Sequence, residues 1–165
     1  MSPRQKKTLD DIKKWLHEFD IFEIKEIENE ENTFTLETTL KLKPTVIPIH
    51  IIGSKKTDEK IMLTWIWGFA PEDINSLRMI DMNLKQKFAL DLGYGFGLLN
   101  LPLHFYESLG DIKAIHTENY IHVHELSKDK LWKNISELGY ALTLAGKKFE
   151  KYFPFPSSFD PSFHV

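Results

Sequence analysis

The chain has 165 residues, of which 27% are charged, 42% hydrophobic and 13% aromatic, and it contains no cysteine. That length suits one soluble domain whose core needs no covalent staple, and the missing thiol excludes disulfides, thiol catalysis, Cys-ligated zinc and iron–sulfur clusters. A net charge of -3 speaks against a strongly basic nucleic-acid binder. Arg4 and Arg78 are the only arginines, so bidentate recognition of phosphate or carboxylate rests on very few side chains.

The first predicted element is a helix from about Thr8 to Phe19, with Leu9, Ile12, Leu16 and Phe19 on one face and Thr8 as its cap. Phe22 and Ile24 begin a short strand, and Asn29-Glu30-Glu31-Asn32 reads as a turn. Thr33 to Leu42 alternates, placing Phe34, Leu36, Leu40 and Leu42 inward and leaving one wet face. Val46 to Ile52 is a further strand, which Pro48 assigns to an edge or a bulge. After a loop at Gly53–Asp58, Ile61, Leu63, Trp65, Trp67 and Phe69 put five large side chains on one strand face. Together these strands form an antiparallel meander.

Pro71 opens a second helix expected to reach about Leu92. Ile74, Leu77, Leu84 and Phe88 form its stripe, and Met79, Ile80, Met82 and Leu90 make its other faces apolar too, so burial on more than one side is expected. Strands at Phe96–Tyr106 and Ile115–His124 follow, joined around Gly110-Asp111. The last helix runs from Ser127 to about Phe153. In it Leu131, Ile135, Leu138, Leu142, Ala145, Phe149 and Tyr152 alternate steps of four and three. Burying that stripe is worth on the order of 10 kcal/mol before entropy. The expected architecture is a single α+β domain over 1–153, order α-β-β-β(-β)-α-β-β-α, with helices packed on a curved antiparallel sheet. Residues 154–165 form a Pro/Phe-rich tail in which Phe155, Phe159 and Phe163 either fold back or dock on a partner.

Few residues suggest chemistry. Gly93-Tyr94-Gly95-Phe96-Gly97 follows a helix rather than opening one and lacks a Gly-Lys-Ser/Thr, so it reads as a helix C-cap and connector with positive φ rather than a phosphate loop. His122 and His124 share a strand face that His116 can join across a bend, making these three the candidate metal ligands, although no zinc motif surrounds them. Glu26, Glu28, Glu30 and Glu31 crowd a solvated turn with no apolar pocket to separate their pKa values. Trp65 and Trp67 share their face with Ile61 and Leu63, which favours core over base stacking. Asn134-Ile135-Ser136 spells a glycosylation sequon by chance, inside a helix.

The Pro48–Ile52 strand, the Leu98-Leu99-Asn100 segment and the run Glu125-Leu126-Ser127-Lys128-Asp129-Lys130-Leu131 entering a long helix resemble an uncharacterised archaeal family with a type III secretion chaperone-like (YbjN-like) fold. The resemblance implies a binding or chaperone-like scaffold, often dimeric, with no assigned catalysis and no functional residues to carry over. The expected function is therefore a non-enzymatic protein-binding domain, homodimeric, without cofactor, nucleic-acid or membrane partner. The alternative is a metal-binding protein or metal-dependent enzyme using the His116, His122 and His124 face. The first seven residues lack the apolar segment of a signal peptide, and no uncharged apolar run approaches the roughly 20 residues of a membrane span, so a cytoplasmic location is expected.

Overall fold

Ser2 starts the first helix, six residues earlier than the hydrophobic stripe suggests. Its hydroxyl accepts from the Gln5 backbone N–H while the Gln5 side chain returns the bond to Ser2 N–H, a capping box that polar residues outside the stripe supply. A computed structural model describes residues 1–19, 22–40, 47–56 and 59–153. The expected strand end at Leu42, the start of the next strand at Val46 and the tail at 154–165 lie outside the described residues. Among those described the order is α1 (Pro3–Glu18), β1 (Phe22–Glu26), β2 (Asn32–Leu40), β3 (Ile47–Ser54), β4 (Lys60–Gly68), α2 (Pro71–Arg78), α3 (Met82–Leu98), β5 (His104–Tyr106), β6 (Ala114–His122) and α4 (Lys128–Tyr152), an α+β fold.

The strands form one six-stranded sheet in the order β1-β2-β3-β4-β6-β5, and the registers of β1 with β2, β2 with β3, β3 with β4 and β5 with β6 are antiparallel. Contrary to the expectation from Pro48, β3 is an interior strand. Pro48 stands opposite Thr39 near the start of β3, and the irregularity in the β2 ladder falls at the far end, between Asn32 and Phe34. There the Phe34 ring lies against Gly53, where an added Cβ would sit 2.3 Å from it. The wet face of β2 is also drier than its alternation implies, because Thr35 is buried. Thr38, on the core face, survives burial by donating its hydroxyl hydrogen to Ile49 C=O at 3.1 Å.

The second predicted helix is two helices. Asp81 interrupts it by accepting the Asn83 backbone N–H at 2.8 Å and capping α3, so the chain breaks over Met79–Asp81. The glycine run then lies inside α3, and no described glycine has positive φ. The cap falls three residues later on Asn100, at φ 54. Asn100 N–H reaches Gly97 C=O and Leu101 N–H reaches Phe96 C=O, the two bonds of a Schellman motif. Helix therefore consumes the first part of the strand expected over Phe96–Tyr106, leaving His104–Tyr106. Gly95 earns its place by packing: a Cβ there would meet the Leu144 side chain at 2.4 Å.

The chain divides into two compact units, the first made of Met1–Trp65 with Glu118–Leu138 and the second of Ile66–Thr117 with the chain from Gly139 onward. In the first, Ile12, Leu16, Leu36, Ile51, Leu63 and Ile135 are fully buried. Trp65, also buried, donates its indole N–H to Leu138 C=O at 3.0 Å. The Phe19 ring sits 4.8 Å from Trp132, with Lys128 bonded to Glu18 at 2.8 Å beside them. In the second unit, Phe149 stacks on Phe69 at 4.9 Å and meets Trp67 at 5.3 Å, and Phe88 meets Phe153 edge-on at 4.8 Å. Asp91 on α3 binds Lys148 at 2.7 Å, Lys151 at 3.1 Å and the Tyr152 hydroxyl at 3.1 Å on α4.

Two outcomes follow. Trp65→Phe keeps an aromatic ring in β4 but removes the donor to Leu138, and should cost about 1 to 3 kcal/mol in urea unfolding; unchanged stability would show the bond to be idle. The hydrogen bonds from Lys148, then Lys151, hold the Asp91 carboxyl at about 2, below the unfolded value of about 3.9. Its stabilising contribution is thus complete above pH ~4 and disappears as pH falls toward 2. Asp91→Asn should lower the melting temperature at pH 6, with the gap to the unaltered protein closing between pH 4 and 2; a gap independent of pH would contradict the assignment.

Candidate functional site

Helix α3 carries two apolar faces. Lys85, Phe88, Leu92 and Phe96 recur at helical spacing and are buried. Leu90, Tyr94 and Leu98, each one turn apart on the opposite side, are 75%, 70% and 69% exposed. A helix apolar all round is ordinarily enclosed all round, and large exposed apolar patches on a soluble domain mark contact surfaces. Lys87 is exposed on the same side one turn before Leu90, while Asp91, at the edge, is occupied by Lys148 and Lys151. Met79 at the α2–α3 break is exposed too. The arrangement offers apolar contact area with charge at its rim.

Burial of α3 on more than one side was the expectation, and the structure corrects it: one side is buried and the other is open. Tyr94 and Leu98 escaped the reading from residue pattern because the glycines placed them in a connector and a strand. The four-residue spacing Leu90, Tyr94, Leu98 and the cap at Asn100 were the signals that could have found them. The buried Lys85 was equally unforeseen. Its ammonium donates to Gly110 C=O at 3.1 Å, so it serves the loop after β5. Nearby Arg78 reaches Asp111 with two nitrogens, Nε to Oδ1 at 2.6 Å and Nη2 to Oδ2 at 3.2 Å. Those bonds push the Asp111 carboxyl down and the Arg78 guanidinium up, committing one of the two arginines to the fold.

Each candidate histidine stands beside one other histidine ring. His116 on β6 lies opposite His104 on β5, ring centroids 5.3 Å apart. Strand β6 ends at His122, and Val123–Glu125 form a 3-10 turn, so His122 and His124 are not both on a strand face as expected; their centroids are 5.4 Å apart. Among the described residues no group of three or more His, Asp or Glu gathers as a metal ion requires. The glutamates Glu26, Glu28 and Glu30 help line an open cleft of about 480 Å³ with Leu9, Ile27 and Phe34, and Glu26 pairs with Lys13. Asn134 of the sequon is buried, donating to Lys130 C=O and accepting from Asn119. No helix among the described residues is long and apolar enough to cross a membrane.

The fold is shared with known structures. An uncharacterized protein from Methanothermobacter thermautotrophicus superposes with a TM-score of 0.76 at 20% identity, over 88% of this chain and 99% of that one. YbjN from E. coli does so with a TM-score of 0.51 at 11% identity, over 87% of this chain and 92% of that one. At such identities the likeness is one of fold. No curated protein matches the chain. Residues 8–147 match the family described as Uncharacterized conserved protein (DUF2299), and with most of its length covered the chain belongs to that family.

Proposed function

We propose that this protein is a non-enzymatic, chaperone-like protein-binding domain that receives another polypeptide on the outer face of α3 and self-associates through the same face. The observation that carries the reading is the line Leu90, Tyr94 and Leu98, exposed on a helix whose opposite side is fully buried. Of the apolar features that suggest an interface in the sequence and lie among the described residues, this one remains available. The α4 stripe and most of the β4 face are spent inside the chain. Rigid aromatic and branched side chains at one-turn spacing are what a protein partner reads, because they supply contact area at low entropic cost. A metal-dependent reading lacks a comparable observation.

Sedimentation equilibrium over a micromolar range tests it. The protein should dimerise weakly with rising concentration, and Leu90→Asp with Leu98→Asp should keep it monomeric while its melting temperature changes little, since both side chains face water. A strict monomer throughout, or a dimer that the double variant leaves intact, refutes the role of α3.

A further inference from the structure

We propose that the outer face of α3 is covered by α3 of a second copy of the chain, running antiparallel about a two-fold axis through Tyr94, so that Leu90 of each protomer meets the partner's Leu98. The inference rests on reading that face as a binding surface; it names the occupant and its register.

The spacing selects a second copy. Leu90 and Leu98 lie four residues either side of Tyr94, and all three are exposed on one side of the helix. A two-fold contact requires that when one residue touches a second on the partner, the second also touches the first. In an antiparallel pair centred on Tyr94 the whole line meets that condition. Leu90 faces the partner's Leu98, each about 6 Å along the helix from the axis. Helical side chains lean toward the N-terminus of their own helix, so each Tyr94 ring passes from the centre toward the level of its own Leu90 and Asp91. Across the axis that level belongs to the partner's Gly97 and Leu98. Gly97 is exposed and has nothing within 4 Å of where its Cβ would stand, which leaves room for the ring.

Charge selects the antiparallel sense. Exposed Lys87 lies on the same side of α3 as Tyr94, and in this register it stands opposite the partner's Leu101, just past the end of the partner's α3. That end carries the partial negative charge of the helix dipole, and the last turn contains no basic residue. Each Lys87 therefore supplies the cation that the other helix lacks. A parallel pair would instead set Lys87 against Lys87 and leave both C-terminal ends uncompensated. Asp91, at the margin, already holds Lys148 and Lys151, so it brings no unmatched carboxylate to the contact. Three large side chains per protomer make a small interface, which places the dimer among the weak and reversible ones.

The chain has no cysteine, so disulfide trapping on the full chain reads the register directly, and each substituted side chain faces water. A disulfide needs Cα atoms within about 7 Å of each other. Tyr94→Cys lies on the two-fold and should oxidise with its own mate to a reducible dimer at micromolar concentration. Leu90→Cys and Leu98→Cys, each about 12 Å along the axis from its own mate, should stay monomeric alone and cross-link when mixed. Lys87→Glu should weaken self-association in sedimentation about three- to tenfold, and an unweakened dimer contradicts the antiparallel sense. Self-coupling of Leu90→Cys and of Leu98→Cys as fast as that of Tyr94→Cys shows a parallel pair, which overturns the proposal and leaves the binding surface standing. No cross-link at all, with a dimer that Leu90→Asp and Leu98→Asp dissolve, overturns the register in the same way. No cross-link with a strict monomer, or with a dimer indifferent to those aspartates, removes both the proposal and the role of α3.

Discussion

The apolar stripe of α4 sets the terms for the remaining elements, because each large side chain in it from Leu131 to Phe149 is consumed inside the chain. Leu131, Ile135 and Leu138 are buried in the first unit and Leu142, Ala145 and Phe149 in the second. Each demands a partner surface, and the elements of each unit are arranged to provide one. Trp65 of β4 meets the first stretch with a hydrogen bond to Leu138 as well as its ring. Phe69 and Phe88 meet the second around Phe149. A heptad spacing that looks like a coiled-coil seam thus serves an internal core, since a period of 3.5 residues specifies a continuous apolar line and not the identity of what lies across it.

With that stripe occupied, the most exposed large apolar side chains among the described residues are Met79 just before α3 and Leu90, Tyr94 and Leu98 on it. The same helix is fixed on its inner side by Phe88, Leu92 and Phe96 and at its margin by Asp91 with two lysines and a tyrosine. Charge anchors it to α4 within the second unit, and Arg78 with Asp111 and Lys85 with Gly110 secure the loop beyond β5. An outer line of Leu90, Tyr94 and Leu98 contributes nothing to these attachments, which separates what holds the helix from what it presents.

Legibility in the sequence followed the range of the signal. Alternation over β2 and β4 and the spacing in α4 are repeated many times along the chain, and those elements were readable, as was the α+β class. Single-residue decisions were not. Asp81 ends one helix and caps the next with one side-chain bond, a choice that an apolar run across Met79, Ile80 and Met82 obscures. Three glycines between positions 93 and 97 speak against helix by propensity, at about 1 kcal/mol each relative to alanine. Packing of Gly95 under Leu144 and the cap at Asn100 override them. Pro48 similarly argues for an edge, whereas its place near the start of β3 lets an interior strand tolerate it. The candidate face lay in the segment most affected by these local decisions, so Leu90 was noticed without Tyr94 and Leu98 beside it.

The interleaving of the two units has a consequence for how the molecule is made. The first unit draws on residues up to Trp65 and then on Glu118–Leu138, and the bond from Trp65 to Leu138 joins positions 73 residues apart. A ribosome therefore releases the β1–β4 meander well before the helix that completes its core. Until synthesis passes Leu138, the apolar face of β4 has no α4 to cover it, and loop closure of that size must precede the contacts that reward it. The nascent chain is thus most exposed to misassociation midway through translation, and truncation anywhere within the inserted segment leaves the first unit without its second half.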